Sequence, residues 1–429
     1  MDGQIPGLAV SQAPPSSPSR RSTTWLGWVL GLSRSASTSV LSSLRWRRPQ
    51  PASTAPPPPP PLMEELEEEI LLRFPPDDPA LLVRATLVCK RWQRIVSSPS
   101  FLRRFRELHR TPPMLGFLCN IAEGDSSAAF VTTVAEDFCS SVADLGDCHA
   151  LDARHGRVLL RCPGSSKDCL LVWDPISDEH RELSLPVLQR YTYDWNAAVL
   201  CAARGPCDHL DCCGGPFLVV FVGSVSGEAF ICTYSSDAGT WSELIATELG
   251  TDCVSLMPSV LVGNALYFGF LFRKSLLKYD LESDEMSVIG VPHTLYIWKH
   301  VALDSGLGLA TVHESKLCLW RQAGPEVDAR WTQDRVIELE PLLPDDAFLT
   351  SPDVVGCADG IGVIFIRAGR VLFTIDLKTY EVKKVCKGRN IFYVVPYMTF
   401  YTPALRAAVQ MKDHVCVPLV HEKLRVRAS

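Results

Sequence analysis

Two hydrophobic patterns divide the chain beyond residue 61. From residue 62 to residue 110, apolar residues recur at the spacing of helix faces. From residue 115 to residue 425, short apolar runs alternate with turn residues, which predicts β-hairpins. The predicted fold class is therefore α+β with segregated domains: a small all-α module, residues 62–110, is followed by an all-β repeat domain, residues 115–425.

The helical pattern predicts three or four short helices. Apolar residues at helical spacing mark one face of each helix: Leu66, Ile70 and Leu71; Leu81, Leu82 and Ala85; Val88, Trp92, Ile95 and Val96; and Phe101, Leu102, Phe105 and Leu108. A proline pair at residues 75–76 ends the first helix. Asp78 and Ser98 each precede a proline, which predicts an N-cap followed by proline at the first helical position. On periodicity alone, the alternative is a plain helical bundle that begins a larger domain.

Three strings in this module, EEILLRFPP, VCKRW and SPSFLRRF, occur in an order and at a spacing that resemble the F-box. The resemblance implies that the module binds a Skp-family adaptor, which is carried on a cullin scaffold. The positions that match the adaptor-binding residues of the family are Leu62, Leu66, Ile70, Leu71, Pro75, Leu81, Val88 and Trp92. Two positions depart from the family: Met63 stands where proline usually follows the first leucine, and Glu67 stands where leucine is common. We expect both departures to weaken the adaptor contact without removing it.

One unit recurs in register in the all-β part. Its copies are VWDPISDEHREL at 172–183, TYSSDAGTWSEL at 233–244, KYDLESDEMSVI at 278–289 and TIDLKTYEVKKV at 374–385. Asp174, Asp280 and Asp376 hold the same position in three copies, and Ser235 replaces them in the fourth. Each copy predicts a hairpin in which this side chain caps backbone groups of the turn.

A degenerate fifth copy at residues 317–339 gives a period of about 50 residues, which is typical of the blades of a β-propeller. Apolar strings between the hairpins predict the inner strands of the blades, at 218–223, 265–272, 307–312 and 362–366. We expect six to eight blades, with ring closure that mixes the two ends of the domain. The strings DPIS at 174–177, CDHLDCCGGPF at 207–217 and KYDLES at 278–283 resemble the propeller-like domain that follows the F-box in many plant proteins, especially in grasses.

Composition narrows the class of protein further. The 429 residues are 47 % hydrophobic and 21 % charged, which is ordinary for a globular protein. The net charge of −6 argues against a nucleic-acid partner, since nucleic-acid-binding domains are usually basic. No apolar run reaches the length of a membrane span, so we expect no membrane partner.

Sixteen scattered cysteines without a CxxC motif predict reduced, mostly buried thiols of an intracellular protein, in the cytoplasm, the nucleus or both.

Residues 1–61 are rich in serine, proline and arginine, and Asp2 is their only acidic residue. We expect a disordered tail, because such a composition buries too little apolar surface to offset the entropy of ordering. There are two alternatives: a transit peptide, which is also rich in serine and arginine, and a start of translation at Met63.

One cluster has the residue types of a metal site: Cys201, Cys207, His209, Cys212 and Cys213 lie close together in the sequence. Three or four of them could bind zinc. Their spacing is not that of paired CxxC motifs, however, and adjacent cysteines suit tetrahedral closure poorly. We therefore expect a loop with incidental thiols, and neither a metal nor a cofactor.

Motifs of enzymes are absent from the sequence: it has no GxSxG elbow, no phosphate loop and no GxGxxG string. We therefore expect no catalytic residue and no enzyme. The resemblance to F-box proteins implies a substrate-receptor subunit of a Skp–cullin–F-box ubiquitin ligase, which holds an unknown target protein on one face of the propeller. The alternatives are a propeller scaffold outside any ligase, a propeller enzyme with a cofactor in its channel and, from residues 1–61 alone, an organelle-imported protein.

Overall fold

The computed structural model describes residues 63–400 with short gaps. The gaps are residues 122–126, 134–141, 164–167, 187–193, 203–206, 208, 211, 249–251, 273–274, 296, 305, 325–329 and 388–389. The predicted tail of residues 1–61, Leu62, and residues 401–425 of the predicted propeller lie outside the described residues.

Four short helices form the helical module: α1 (Glu64–Leu72), α2 (Pro79–Val88), α3 (Lys90–Val96) and α4 (Pro99–His109). The predicted caps are confirmed. The Asp78 carboxylate accepts a hydrogen bond from Ala80 N at 3.1 Å, and the Ser98 hydroxyl accepts one from Phe101 N at 3.2 Å. Proline occupies the first position of α2 and of α4. The helices share one apolar core, made of Leu71, Leu72, Leu82, Ala85, Ile95, Val96, Phe101 and Phe105.

Two of the predicted helix faces are wrong in part. The face from Val88 to Val96 is broken at Cys89, whose backbone is extended and whose Sγ accepts a hydrogen bond from Trp92 N at 3.4 Å. Val88 therefore ends α2 and is exposed. Leu108 is also exposed, because His109 takes the inner position of the last turn of α4, where its ring packs on Phe105.

Twenty-five strands among the described residues form six antiparallel sheets. The first blade contains β1 (Met114–Ile121), β2 (Ser127–Thr132), β3 (Val142–Asp144) and the last strand, β25 (Ile391–Met398); the second contains β4 (His149–Arg154), β5 (Arg157–Cys162), β6 (Cys169–Asp174) and β7 (Glu179–Ser184). The third contains β8 (Trp195–Cys201), β9 (Phe217–Val225), β10 (Glu228–Ser235), β11 (Thr240–Trp241) and β12 (Ile245–Glu248); the fourth contains β13 (Val260–Val262), β14 (Ala265–Gly269), β15 (Ser275–Asp280) and β16 (Met286–Gly290). The fifth contains β17 (Lys299–Leu303), β18 (Gly306–His313), β19 (Lys316–Gln322) and β20 (Trp331–Glu338); the sixth contains β21 (Asp353–Ala358), β22 (Val363–Ala368), β23 (Val371–Asp376) and β24 (Val382–Lys387). A 3₁₀ turn, Asp345–Leu349, precedes the sixth blade.

The six blades close into a β-propeller. Strand β25 pairs antiparallel with β1, with Leu118 opposite Val395, so the first blade combines strands from both ends of the domain. The expected blade number and the expected mixing of the two ends are confirmed. The helical module precedes β1, and the predicted order of an all-α module and an all-β propeller is confirmed as well.

The four apolar strings that predicted inner strands belong instead to the second strands of the third, fourth, fifth and sixth blades. They fall in β9, β14, β18 and β22, while β8, β13, β17 and β21 are the first strands. A second strand lies between two strands of its own sheet and under neighbouring blades, so its sequence is continuously apolar. The first strands border the channel and carry polar residues such as Asn196 and Lys299, which interrupt the apolar pattern.

The repeated hairpins are confirmed, and their acidic residues cap the turns. Asp174 Oδ1 accepts from Ile176 N at 2.8 Å, and Asp376 Oδ1 accepts from Lys378 N at 2.7 Å. In the copy without aspartate, the Ser235 hydroxyl takes this role. The residue four positions after each capping residue has a positive φ, between 57° and 70°: Asp178, Gly239, Asp284 and Tyr380. The same capped turn is thus repeated in four blades.

Two tryptophans form hydrogen bonds between neighbouring blades. Trp241 Nε1 donates to Ser184 O of the second blade at 3.0 Å, and Trp331 Nε1 donates to Gly290 O of the fourth blade at 2.8 Å. The blades therefore share both an apolar core and hydrogen bonds at their outer edges.

The prediction of reduced thiols is wrong for one pair, because Cys148 and Cys162 form a disulfide. Twelve other cysteines of the described part are not in a disulfide, and four of these are buried: Cys119, Cys212, Cys232 and Cys386. No helix in the described ranges is long and apolar enough to cross a membrane.

Asp280 provides a test of how the side-chain cap stabilises this turn. Its Oδ1 accepts hydrogen bonds from Glu282 N at 3.0 Å and Ser283 N at 3.2 Å, and these bonds lower the pKa of the carboxyl. We expect Asp280→Ala to lower the free energy of unfolding by about 1 kcal/mol, as measured by urea denaturation at neutral pH. Because the folded-state pKa is depressed, this stabilisation is present above the unfolded-state pKa and is lost as the pH falls through the folded-state pKa.

Asp280→Asn is the matched control, since its side-chain oxygen still accepts both bonds. The role of Asp280 in the turn is contradicted if the asparagine and alanine variants lose equal stability.

Candidate functional site

The helical module exposes a group of large apolar side chains, which we call the apolar face: Met63, Leu66, Ile70, Leu87 and Val88. Leu66 and Ile70 are one turn apart on α1, with 46 % and 47 % of their surface exposed. Val88, at the end of α2, is 65 % exposed. Such exposure of adjacent large apolar residues is typical of a protein-binding surface.

Arg91 connects the two parts of this face. It lies at the start of α3, three residues after Val88, and its Nε is 3.2 Å from Glu67 Oε2 and 3.9 Å from Glu64 Oε2 on α1. The ion pairs hold the amino-terminal half of α1 against the junction of α2 and α3. The helix that carries Leu66 and Ile70 is thus joined to the segment that directly follows Val88.

The predicted adaptor-binding residues divide into exposed and buried ones. Those that reach the surface are Leu66, Ile70, Pro75 and Val88, while Leu81 and Trp92 are partly buried. Leu71 is wholly buried in the core of the module. Leu62 lies outside the described residues. Met63 and Leu87 are also exposed, although neither is among the predicted adaptor-binding residues.

Glu67, a departure from the family pattern, has a structural partner. Its side chain is nearly buried, and its Oε2 accepts a hydrogen bond from Trp92 Nε1 at 3.2 Å besides the ion pair with Arg91. A carboxylate that is buried with two donors satisfies both of them and keeps the indole in one orientation. At this position, therefore, the acidic residue joins α1 to α3.

The helical module packs against one end of the propeller. Phe400, just after β25, belongs to the core of the module and contacts the Phe105 ring edge-on, with 6.2 Å between centroids. Leu210, in the loop after β8, packs against the same core. Thr399 N donates to Pro113 O, in the segment that joins α4 to β1, at 3.2 Å. These contacts lie at the carboxyl ends of β25 and β8, which are the innermost strands of the first and third blades.

The other end of the propeller carries exposed apolar side chains: Leu271, Phe272, Ile297, Leu349 and Phe392. Ile297 and Leu349 precede first strands, and Phe392 is the second residue of β25, so these three lie at the amino ends of the innermost strands. The pair at 271–272 follows β14, which is antiparallel to β13 and ends on the same side. The end of the propeller away from the helices therefore has apolar residues available for contact.

A cavity of about 400 Å³ lies in the channel under the helical module. Its charged groups link the innermost strands: Arg154 forms an ion pair with Asp152 and donates to Ser259 O at 2.6 Å, while Asp152 accepts from Val199 N at 2.8 Å. Burial raises the pKa of Asp359 to about 6 and lowers that of His300 to about 3. These polar contacts join the second, third and fourth blades, which gives the charged residues a structural role.

The loop after β8 brings metal-binding side chains together. The ligand atoms of Cys201, Cys207, His209 and Cys212 all lie within 4.8 Å of one another. Burial, together with the nearby thiols of Cys201 and Cys213, raises the pKa of Cys212. Cys213 is not part of the group; its Sγ is 3.6 Å from Thr399 Oγ1. The expectation of incidental thiols, which was based on spacing along the sequence, does not describe this convergence.

The comparisons with known proteins agree with this architecture. A family model described as "F-box protein AT5G49610-like, beta-propeller" matches residues 149–405, which is more than half of the chain. The chain belongs to this family. A model of the F-box domain matches residues 64–104, which lie within the helical module.

No curated protein matches the chain. Solved structures with some likeness include a functionally unknown protein from Desulfotomaculum acetoxidans, with 10 % identity over 66 % of this chain and 86 % of that chain and a TM-score of 0.38. A nidogen/laminin complex gives 10 % identity, coverage of 67 % and 99 %, and a TM-score of 0.40, and apo AztD from Citrobacter koseri gives 9 %, 66 % and 88 %, and 0.35. At such low scores, these likenesses carry no argument about function.

Glu67 provides a test of how the F-box is held together. In Glu67→Ala, Trp92 Nε1 and Arg91 lose their shared acceptor, so we expect the free energy of unfolding of the F-box to fall by about 1–3 kcal/mol. The loss can be measured by denaturant unfolding followed through tryptophan fluorescence. Glu65→Ala is the matched control, because Glu65 is exposed on the same helix. Equal stability of the two variants would contradict the role of Glu67.

Proposed function

We propose that this F-box protein is the substrate-receptor subunit of a Skp–cullin–F-box ubiquitin ligase. The observation that carries the proposal is the apolar face of its F-box, in which Leu66, Ile70 and Val88 are exposed although they are large and apolar. F-box domains generally bind Skp-family adaptors. The apolar face offers such an adaptor a surface that would lose its contact with water on binding.

The arrangement of the two domains supports this role. The F-box buries one side of its helices against Phe400 and Leu210 of the propeller and leaves the apolar face outward. The propeller end away from the F-box, with Phe272 and Ile297 among its exposed residues, is the end on which we place the target protein. A target held there would reach the ubiquitin-charged enzyme at high effective concentration, through the adaptor and cullin.

In this role, no residue of the chain needs to be catalytic, so the protein would act without cofactor and not as an enzyme. The net charge of −6 gives no support to a nucleic-acid partner. The proposed place of action is the cytoplasm or the nucleus, where such a ligase meets its targets.

The apolar face can be tested by introducing charge. We expect Leu66→Glu and Val88→Glu in the full chain to weaken binding of the purified Skp-family adaptor at least about 30-fold, the loss that accompanies removal of an interface hot spot. Leu108→Glu is the matched control, since Leu108 is 57 % exposed in the same F-box but does not belong to the apolar face. Affinity is measured by calorimetry, and circular dichroism checks that each variant is folded. Adaptor binding by folded Leu66→Glu and Val88→Glu as tight as that of the parent would refute the proposed interface.

The ligase role is separated from that of a scaffold by a second measurement. We expect the full chain to co-purify with cullin only when the adaptor is present, and Val88→Glu to abolish this co-purification. Adaptor binding without any recovery of cullin would favour a propeller scaffold that acts outside a ligase.

A further inference from the structure

We propose that Cys201, Cys207, His209 and Cys212 bind one Zn²⁺ ion at the F-box end of the propeller. Cys201 Sγ and Cys207 Sγ are 3.9 Å apart, and Cys212 Sγ and His209 Nδ1 are 3.8 Å apart. Tetrahedral zinc with bonds of about 2.3 Å to sulfur and about 2.0 Å to nitrogen places neighbouring ligand atoms about 3.5–3.8 Å from each other. The side chains are therefore already near coordinating distance.

The donor set favours zinc over other abundant cations. Three thiolates and one imidazole are soft or intermediate ligands, which select zinc and not magnesium or calcium. Four protein ligands also leave no position open for a substrate, so the site is of the closed, structural type. Binding converts the three thiols to thiolates, and their protons pass to the solvent.

An ion has a route to these ligands from a second cavity, which is bordered by Cys201, Cys207 and His209. Cys212 is buried on the inner side of the group, while His209 is exposed. The site is thus partly enclosed and open to solvent on one side, which suits an ion that loads after the propeller has folded.

Two observations concern described residues at and beside the ligands. His209 has a φ of +54°, which residues other than glycine rarely adopt unless their surroundings hold them there. His155, from the second blade, places its Nδ1 3.7 Å from Cys212 Sγ. With Cys212 as a thiolate, this ring nitrogen can donate to the sulfur and orient it, as second-sphere partners of metal ligands do.

The proposed ion would stabilise the contact between the propeller and the F-box. Leu210 lies between the ligands His209 and Cys212, and it packs against the F-box core. Cys201 ends β8, so zinc would tie this loop to the third blade. The position of Leu210 would then depend on the metal, and the mounting of the F-box on the propeller would depend on it too.

The test starts from the metal content of the full chain purified without chelator, measured by inductively coupled plasma mass spectrometry. We expect one zinc per chain, and we expect Co²⁺ exchanged into the site to give the intense visible absorption of a tetrahedral thiolate complex. Cys212→Ser and His209→Ala should lose the metal. Cys213→Ser is the matched control, because Cys213 belongs to the same loop but not to the ligand group, and it should keep the metal.

Measurements on the unmodified chain keep the test independent of misfolded variants. A strong chelator should lower its melting temperature, and added Zn²⁺ should restore it. The proposal is overturned if the folded parent neither contains zinc nor binds added Zn²⁺ or Co²⁺. A Cys201–Cys207 disulfide in the native chain, or loss of metal from Cys213→Ser as from Cys212→Ser, would overturn it too.

Discussion

Closure of the propeller by β25 on β1 is the constraint on which the rest of the structure depends. The pairing gives the first blade its innermost strand and removes two open sheet edges at once. On the other side of β1, its neighbour β2 approaches closely at Gly116, where a Cβ would lie 2.6 Å from Phe130 Cζ and 2.7 Å from Val131 O, so only glycine fits. Because β25 ends beside the start of β1, the residues that follow it meet the segment that connects the F-box.

The consequence is that closure also positions the F-box. Phe400 completes the F-box core, and Tyr397 Oη donates to Gly156 O of the second blade at 3.2 Å. The last strand of the described part, together with Phe400 just after it, thus contacts the first blade, the second blade and the amino-terminal helices. The outward direction of the apolar face is set by contacts between residues far apart in the chain.

The helix caps and turns were predictable from the sequence. The contacts between residues far apart in the chain were predictable only in outline. The caps at Asp78 and Ser98 and the turns at Asp174 and Asp376 follow from side chains that bond to backbone groups two or three residues away. The innermost strands could not be identified from the sequence, because the polar residues that face the channel interrupt their apolar pattern. The break at Cys89 was missed since Val88 and Trp92 continue a helical period across it.

The candidate site shows a similar division. Periodicity placed Leu66, Ile70 and Leu71 on one side of α1, but it could not tell that Leu71 faces the core and the other two face solvent. Glu67 looked like a defect in the pattern, whereas the structure gives it Trp92 and Arg91 as partners. A pattern reports which residues share a helix face, and the neighbouring helices decide which part of that face is covered.

The thiol cluster extends this reasoning to the other side of the F-box. Adjacent Cys212 and Cys213 argued against a metal only while both were counted as ligands. In the fold, Cys213 turns toward Gly156 of the second blade and Thr399 just after β25, and Cys212 turns toward Cys201 and Cys207. Adjacent cysteines can therefore serve two contacts, since one joins the loop to β25 and the other to the proposed ion. Both contacts fix the loop that carries Leu210, so closure of the ring and metal binding would act together on the junction between the propeller and the F-box.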